Sequence, residues 1–302
     1  MPDILHAFYS FALDILPLFI ITLAVSAVAT RYYPLRSLDS LIQRNSTRTV
    51  LTSAFFGVLL PVTPGCRIPM AAIARKGGAS WTPLLIFIGG GAAAGISTIM
   101  VTSLIGWQFA ILRLVLALVF TYTLSLILVR TLEPRLATLA MDTEIGPLFH
   151  RDYCEALAAD SNADSADVSI TSVWQVFLRL GRVVLPWLFL SMALAMFIQV
   201  AVPQQVVESF FNGSLAAPKA ALIGLPFYFV AGSDVPLLLV LLKKGMGLGS
   251  ATSLMLAAPV VNLPVLSMVS RWLGYRRALM FITICWIVAS AIGTLFGYID
   301  AR

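Results

Sequence analysis

Apolar residues run along this chain in blocks of about 20 or more, separated by short polar stretches rather than alternating with polar positions. Six blocks, at 8–30, 80–104, 107–130, 172–201, 248–270 and 275–299, are long enough for a helix to cross a hydrocarbon layer ~30 Å thick. A membrane β-barrel would instead alternate over segments of ~10 residues. Two further blocks, 48–77 and 217–246, are broken in the middle by Pro64-Gly65 and Ala231-Gly232. Each half of about 14 residues makes a helix about 21 Å long, short of a full crossing. These blocks predict two re-entrant helical hairpins with tips at 64–67 and 231–234, a kinked full span being the alternative for each.

The two broken blocks are copies of one pattern. Gly65-Cys66-Arg67-Ile68-Pro69-Met70 and Gly232-Ser233-Asp234-Val235-Pro236-Leu237 lie 167 residues apart. Each is followed by a basic-glycine break, Lys76-Gly77-Gly78 and Lys243-Lys244-Gly245. A long apolar block comes next, with an expected interruption at Gly89-Gly90-Gly91 in the first copy and at Pro259-Val260-Val261-Asn262-Leu263-Pro264 in the second. The opening spans match as well, Leu16-Pro17-Leu18-Phe19 against Leu185-Pro186-Trp187-Leu188. Each half therefore reads span, hairpin, span, span. Three crossings per half reverse the direction of entry, so the repeats are expected to be inverted. The expected fold is an all-α polytopic membrane protein of two inverted repeats, each with three transmembrane helices and one re-entrant hairpin. That makes eight hydrophobic segments, or ten helices if half-helices are counted. Residues 1–130 form the first repeat, 131–171 an acidic linker and 172–302 the second repeat.

Composition and charge fit this division. Hydrophobic residues are 59% of the chain and charged residues 11%, against about 25% charge in ordinary soluble proteins. With the N-terminus outside, fourteen of the twenty basic residues fall on the inner side, among them Arg31, Arg36, Arg130, Arg276 and Arg277. Lys243-Lys244 is the one clear violation. The net charge of +6 is spread over segment ends, which suits headgroups and orientation and points away from nucleic acid. The linker holds eight of the fourteen acidic residues and too few apolar ones for a core. It reads as a cytoplasmic tether. Cys66, Cys154 and Cys285 have neither metal nor redox spacing, and no cofactor or metal is implied.

Two charges stand out. Arg67 and Asp234 occupy equivalent positions in the copies, each just before an Ile/Val-Pro step, where a buried charge is expensive and must pair, meet water or contact a solute. The half-helices after them begin with Pro69 and Pro236, a favoured place for proline. Their free N–H groups and positive dipole ends suit an anion or another electron-rich group. Broken helices in corresponding positions of two halves point to a transporter's substrate site. The expected substrate-binding residues are Thr63, Cys66, Arg67, Ser233 and Asn262, with Asp234 carrying a coupled proton. Arg113 is expected to snorkel to headgroups on the outer side, with Arg179 and Arg182 doing so at the inner side. No nucleophile–base pair or phosphate loop is present, so catalytic residues are not expected.

The segment 61–78 with Ile68-Pro69, then Val235-Pro236-Leu237, Lys244-Gly245 and the 259–264 run, resembles the predicted-permease family that includes the organoarsenical efflux permeases (ArsP/YraQ-like). The resemblance spans both halves and implies a polytopic permease, in some members an exporter of trivalent organoarsenicals. The family's usual Cys-Ser-Cys tip is replaced here by Thr63-Pro64-Gly65, with Cys66 displaced by one place and Arg67 after it. A lone thiol is a poor multidentate arsenic site, and Arg67 favours an anionic or zwitterionic substrate. The expectation is a proton-coupled secondary transporter of the bacterial inner membrane, working by motion of one repeat against the other. Its partners are a small-molecule substrate and the lipid bilayer, with homo-oligomers left open. A non-transporting scaffold locked by an Arg67–Asp234 salt bridge is the rival reading.

Overall fold

A computed structural model describes residues 81–94, 98–99, 102–103, 105–132, 170–227 and 234–300, with Ser53 and separate positions between 9 and 28. Nine helices are labelled here: α1 (Trp81–Ala94), α2 (Trp107–Thr131), α3 (Ile170–Ala201), α4 (Gln204–Phe211), α5 (Ala216–Phe227), α6 (Asp234–Lys243), α7 (Leu248–Ala257), α8 (Leu263–Leu273) and α9 (Tyr275–Asp300). Further helical residues lie in the N-terminal stretch Ile15–Val25. Among the described residues there is no strand. The described residues build an all-helical fold, as apolar blocks without alternation require.

The helices α2 and α9 are each long and apolar enough to cross a membrane. Their outward faces are what lipid selects. On α2, Ile111, Val115, Leu118, Tyr122, Leu126 and Val129 are exposed at helical spacing. Exposed Tyr275 and Tyr298 mark the two ends of α9, about 35 Å apart along the helix, where interfacial aromatics sit. Opposite those faces, Ala117, Phe120, Leu124 and Leu128 of α2 join Phe281, Cys285 and Ala289 of α9 in the larger apolar core.

The long helix α3 keeps Pro186 inside it, so one backbone hydrogen bond is missing there. Its end meets α4 at a bend of 107°. The sequence pattern gave no sign of α4. Val207 and Phe211 anchor this short helix against α5, α6 and α7, while Val206 and Phe210 face outward.

The centre of the described structure is α7, which packs against α9, α5, α2, α6 and α1. Gly249 explains how it fits so closely. A Cβ there would lie 2.6 Å from the Gly293 carbonyl oxygen and 2.7 Å from the Gly297 Cα, both backbone atoms of α9. Gly293, in turn, faces Ser253, whose hydroxyl donates to the Ala289 carbonyl at 3.3 Å. This is the small-residue contact that lets two membrane helices approach backbone to backbone.

One interruption differs from the expectation. The run Gly89-Gly90-Gly91 does not break its helix, since α1 continues to Ala94. Gly89 faces Leu124 of α2 and Phe281 of α9, so its missing side chain serves packing. The second interruption is present: α7 stops at Ala257, and α8 starts at Leu263 with a proline in its first positions.

Block 217–246 is two short helices, α5 and α6, on either side of residues 228–233. Its two ends adjoin. Asn212, just before α5, donates to the Gly245 carbonyl just after α6, at 3.0 Å. The Lys244 ammonium donates to the Val202 carbonyl nearby. The corresponding block 48–77 and the linker lie outside the described residues, apart from Ser53.

Candidate functional site

Asp234 opens α6 and is 3% exposed. Its carboxylate sits where the helix dipole is positive and the first N–H groups lack intrahelical partners. Pro236, in that same first turn, has no N–H to leave unsatisfied.

The cation facing Asp234 is Arg113, with Nη2 2.7 Å from Oδ2. Arg113 is fully buried. This corrects the snorkelling expectation. Arg113 lies six residues into α2, about 9 Å along the helix, and its side chain turns toward the protein rather than the headgroups. Three acceptors on three segments hold it. Nε donates to the Ala93 carbonyl at 3.1 Å, Nη1 to the Thr102 hydroxyl at 3.1 Å and Nη2 to the Met255 carbonyl at 3.3 Å. Thr102 is itself oriented by donating to the Thr98 carbonyl at 2.6 Å.

The electrostatics follow from helix direction. Met255 lies in the last turn of α7, where the residue four places on is Pro259, so its carbonyl has no intrahelical N–H to accept from and carries partial negative charge. The guanidinium therefore sits between the Ala93 carbonyl, the C-terminus of α7 and a carboxylate, which together compensate its positive charge. Asp234 is held differently. Its close contact with Arg113 is an ion pair without hydrogen-bond alignment, and among the described residues neither of its oxygens accepts a hydrogen bond.

Asn262 is also buried, beyond the end of α7 that carries the Met255 carbonyl. Its Oδ1 accepts from the Val265 N–H at 2.8 Å, capping α8, and its Nδ2 donates to the Ala258 carbonyl at 2.9 Å. The side chain clasps the two ends of the broken helix α7–α8. Of the expected site residues, then, Asp234 and Asn262 are brought to the same end of α7. Thr63, Cys66, Arg67 and Ser233 lie outside the described residues, and so does the expected approach of Arg67 to Asp234.

Sequence reasoning gave no role to Thr98, Thr102 and the carbonyls of Ala93 and Met255. A signal for Arg113 existed: it is the one charge between Trp107 and Val129.

Residues 1–298 match the profile of a family described as predicted permeases, ArsP. The chain belongs to that predicted-permease family. The permease is similar to a UPF0718 protein of Methanocaldococcus jannaschii, 25% identical over 296 residues, covering 82% of this chain and 81% of that protein. No solved structure matches the permease. Family membership and the apolar helices make it a membrane protein of the transporter class.

Proposed function

We propose that this permease is a proton-coupled secondary transporter of a small anionic, zwitterionic or metalloid-containing solute, in the bacterial inner membrane with the N-terminus outside. The carrying observation is the buried Arg113–Asp234 pair, with Asp234 in the first turn of a short helix. Charge at that depth is costly and marks solute or proton pathways. In the proposed architecture α5 and α6 form a re-entrant hairpin and the two halves are inverted repeats. The adjoining ends of block 217–246 support the hairpin, because a single crossing would separate Asn212 and Gly245 by the membrane thickness. Thr63, Cys66, Arg67 and Ser233 complete the proposed solute-facing set, with Asn262 shaping the broken helix beside it.

The test is flux in proteoliposomes under an imposed pH gradient, with methylarsenite, inorganic oxyanions and small organic acids as candidate solutes. Asp234→Asn is expected to abolish accumulation driven by the gradient while leaving downhill exchange. Unchanged gradient-driven accumulation in that variant refutes the coupling.

The locking of Arg113 by three acceptors favours a second reading, a scaffold in which the pair is structural. That reading expects Arg113→Met/Asp234→Leu, with no charge left, to keep full cellular function. The transporter reading expects it to be inert.

A further inference from the structure

Arg113 has two kinds of partner. Ala93, Thr102 and Met255 hold it by directed hydrogen bonds, two of them from backbone carbonyls that cannot turn away as a side chain can. The fourth partner, Asp234, is held by charge alone, with no aligned hydrogen bond. It is also the one partner whose charge a proton can remove. A fixed cation with a single exchangeable anion is the arrangement of a binding seat already occupied by a tethered ligand.

Resting on the transporter reading, we propose that Arg113 is the substrate anchor and that Asp234 is its resident competitor, displaced by a small carboxylate-like monoanion when Asp234 takes up a proton. The charge balances. Before the exchange the pair is one guanidinium and one carboxylate. Afterwards it is one guanidinium, one neutral carboxylic acid and one bound monoanion. One proton therefore enters with each anion, and the loaded and empty sites have equal net charge. A buried site gains from this, because an uncompensated charge in such surroundings is strongly disfavoured. The ligand class follows from the present occupant: two oxygen acceptors on one atom, with a single negative charge. The free N–H groups of the first turn of α6 lie beside the same seat and favour the same charge sign.

Neither α3 nor α7, the helices packed most against α6, carries a carboxylate, and Glu208 of α4 accepts from the Gln204 amide instead. Helices α1 and α7 carry no titratable group. On α6 the other is Lys243, exposed at the far end. On α2 the others are Tyr122, which is exposed, and Arg130 in the last turn. Helix α3 contributes Arg179 and Arg182, the latter exposed. Helix α9 has Tyr275, Arg276, Arg277, Tyr298 and Asp300 near its ends, and Cys285 in the apolar core.

The experiment is acetate binding to the full-length permease in lipid nanodiscs. Calorimetry in two buffers of different ionisation heat counts protons taken up per acetate bound by the wild type. The expected count is one, with affinity rising up to tenfold per pH unit as pH falls. Asp234→Asn is expected to bind acetate at least tenfold more tightly than wild type at pH 7.5, with no pH dependence. Arg113→Met/Asp234→Leu, which lacks both charges, is expected not to bind. A proton count of zero overturns the proposal, as does equal acetate binding by the double variant and Asp234→Asn. The wild-type proton count decides the matter even where a variant fails to fold. Coupled flux of another solute alongside a zero count leaves the transporter reading standing and removes this one.

Discussion

A double-mutant cycle on Arg113 and Asp234 measures what encloses the site. With charge centres roughly 4 Å apart, the pair attracts by about 4 kcal/mol at the effective dielectric that reproduces protein data. That attraction offsets the desolvation of both groups, so removing one partner exposes the cost of the other. For Asp234→Leu the expected loss is about 3–5 kcal/mol, because a fully buried guanidinium is left without its counter-ion. Arg113→Met is expected to lose more. It strands Asp234 and also deprives Ala93, Thr102 and Met255 of a charged donor, at about 1.5–3 kcal/mol per bond of this kind before relaxation. The double variant keeps those three unfilled acceptors and has no stranded charge. It is therefore expected to be more stable than Arg113→Met alone, and less destabilised than the sum of the singles by at least about 2 kcal/mol. Unfolding by sodium dodecyl sulfate in mixed micelles, followed by tryptophan fluorescence, gives the four stabilities. Additivity within about 0.5 kcal/mol refutes the account, since it means the two groups do not sense each other.

Packing and topology give further outcomes. Gly249→Ala is expected to destabilise by about 1–3 kcal/mol despite the better helix propensity of alanine, because the clash is with α9 backbone. Gly297→Ala meets its nearest backbone atom at 3.1 Å and is expected to cost less; the same unfolding titration ranks the two. Asn262→Ala removes the α8 cap and the bond to the Ala258 carbonyl, with an expected cost of about 1–2 kcal/mol and faster hydrogen exchange at the Val265 amide. Cysteines placed singly at Asn212 and Gly245 are expected to react with an impermeant maleimide from the same side of sealed vesicles; labelling from opposite sides refutes the hairpin.

What was legible in the sequence depended on period and punctuation. Apolar blocks without alternation gave the helical class, and Pro259 to Pro264 gave a break that the structure has, since two prolines flank a capping asparagine. Glycine proved weaker punctuation. The Gly89-Gly90-Gly91 run was expected to interrupt its block, yet α1 passes through it, because in an apolar setting small residues serve close packing as readily as they loosen a helix. The tight α7–α9 contact went unread for a related reason. Gly249 and Ser253 matter only through Gly293 and Gly297, and no local pattern shows which helix faces which. Asp234 was legible as a charge at a helix start in an apolar block. Its partner was not, because pairing across 121 positions is a property of the packed structure.

The misreading of Arg113 shows what decides the fate of a charge near a membrane surface. A stem of three methylenes on a residue about 9 Å into a helix can reach water, and snorkelling is then inexpensive. What turns Arg113 inward is the supply of acceptors there: the Ala93 and Met255 carbonyls, a hydroxyl and a carboxylate, all within hydrogen-bonding or ion-pair reach. The Met255 carbonyl is available because α7 stops at Ala257 and the residue four places on is Pro259, which has no N–H to offer it. The free end of α7 suits a cation, and the cation in turn makes a carboxylate at the start of α6 tolerable. The break after α7 and the buried ion pair are thus one device, and continuing α7 through residue 259, with Pro259 replaced by a residue that has an N–H, takes up the Met255 carbonyl that helps keep Arg113 inside.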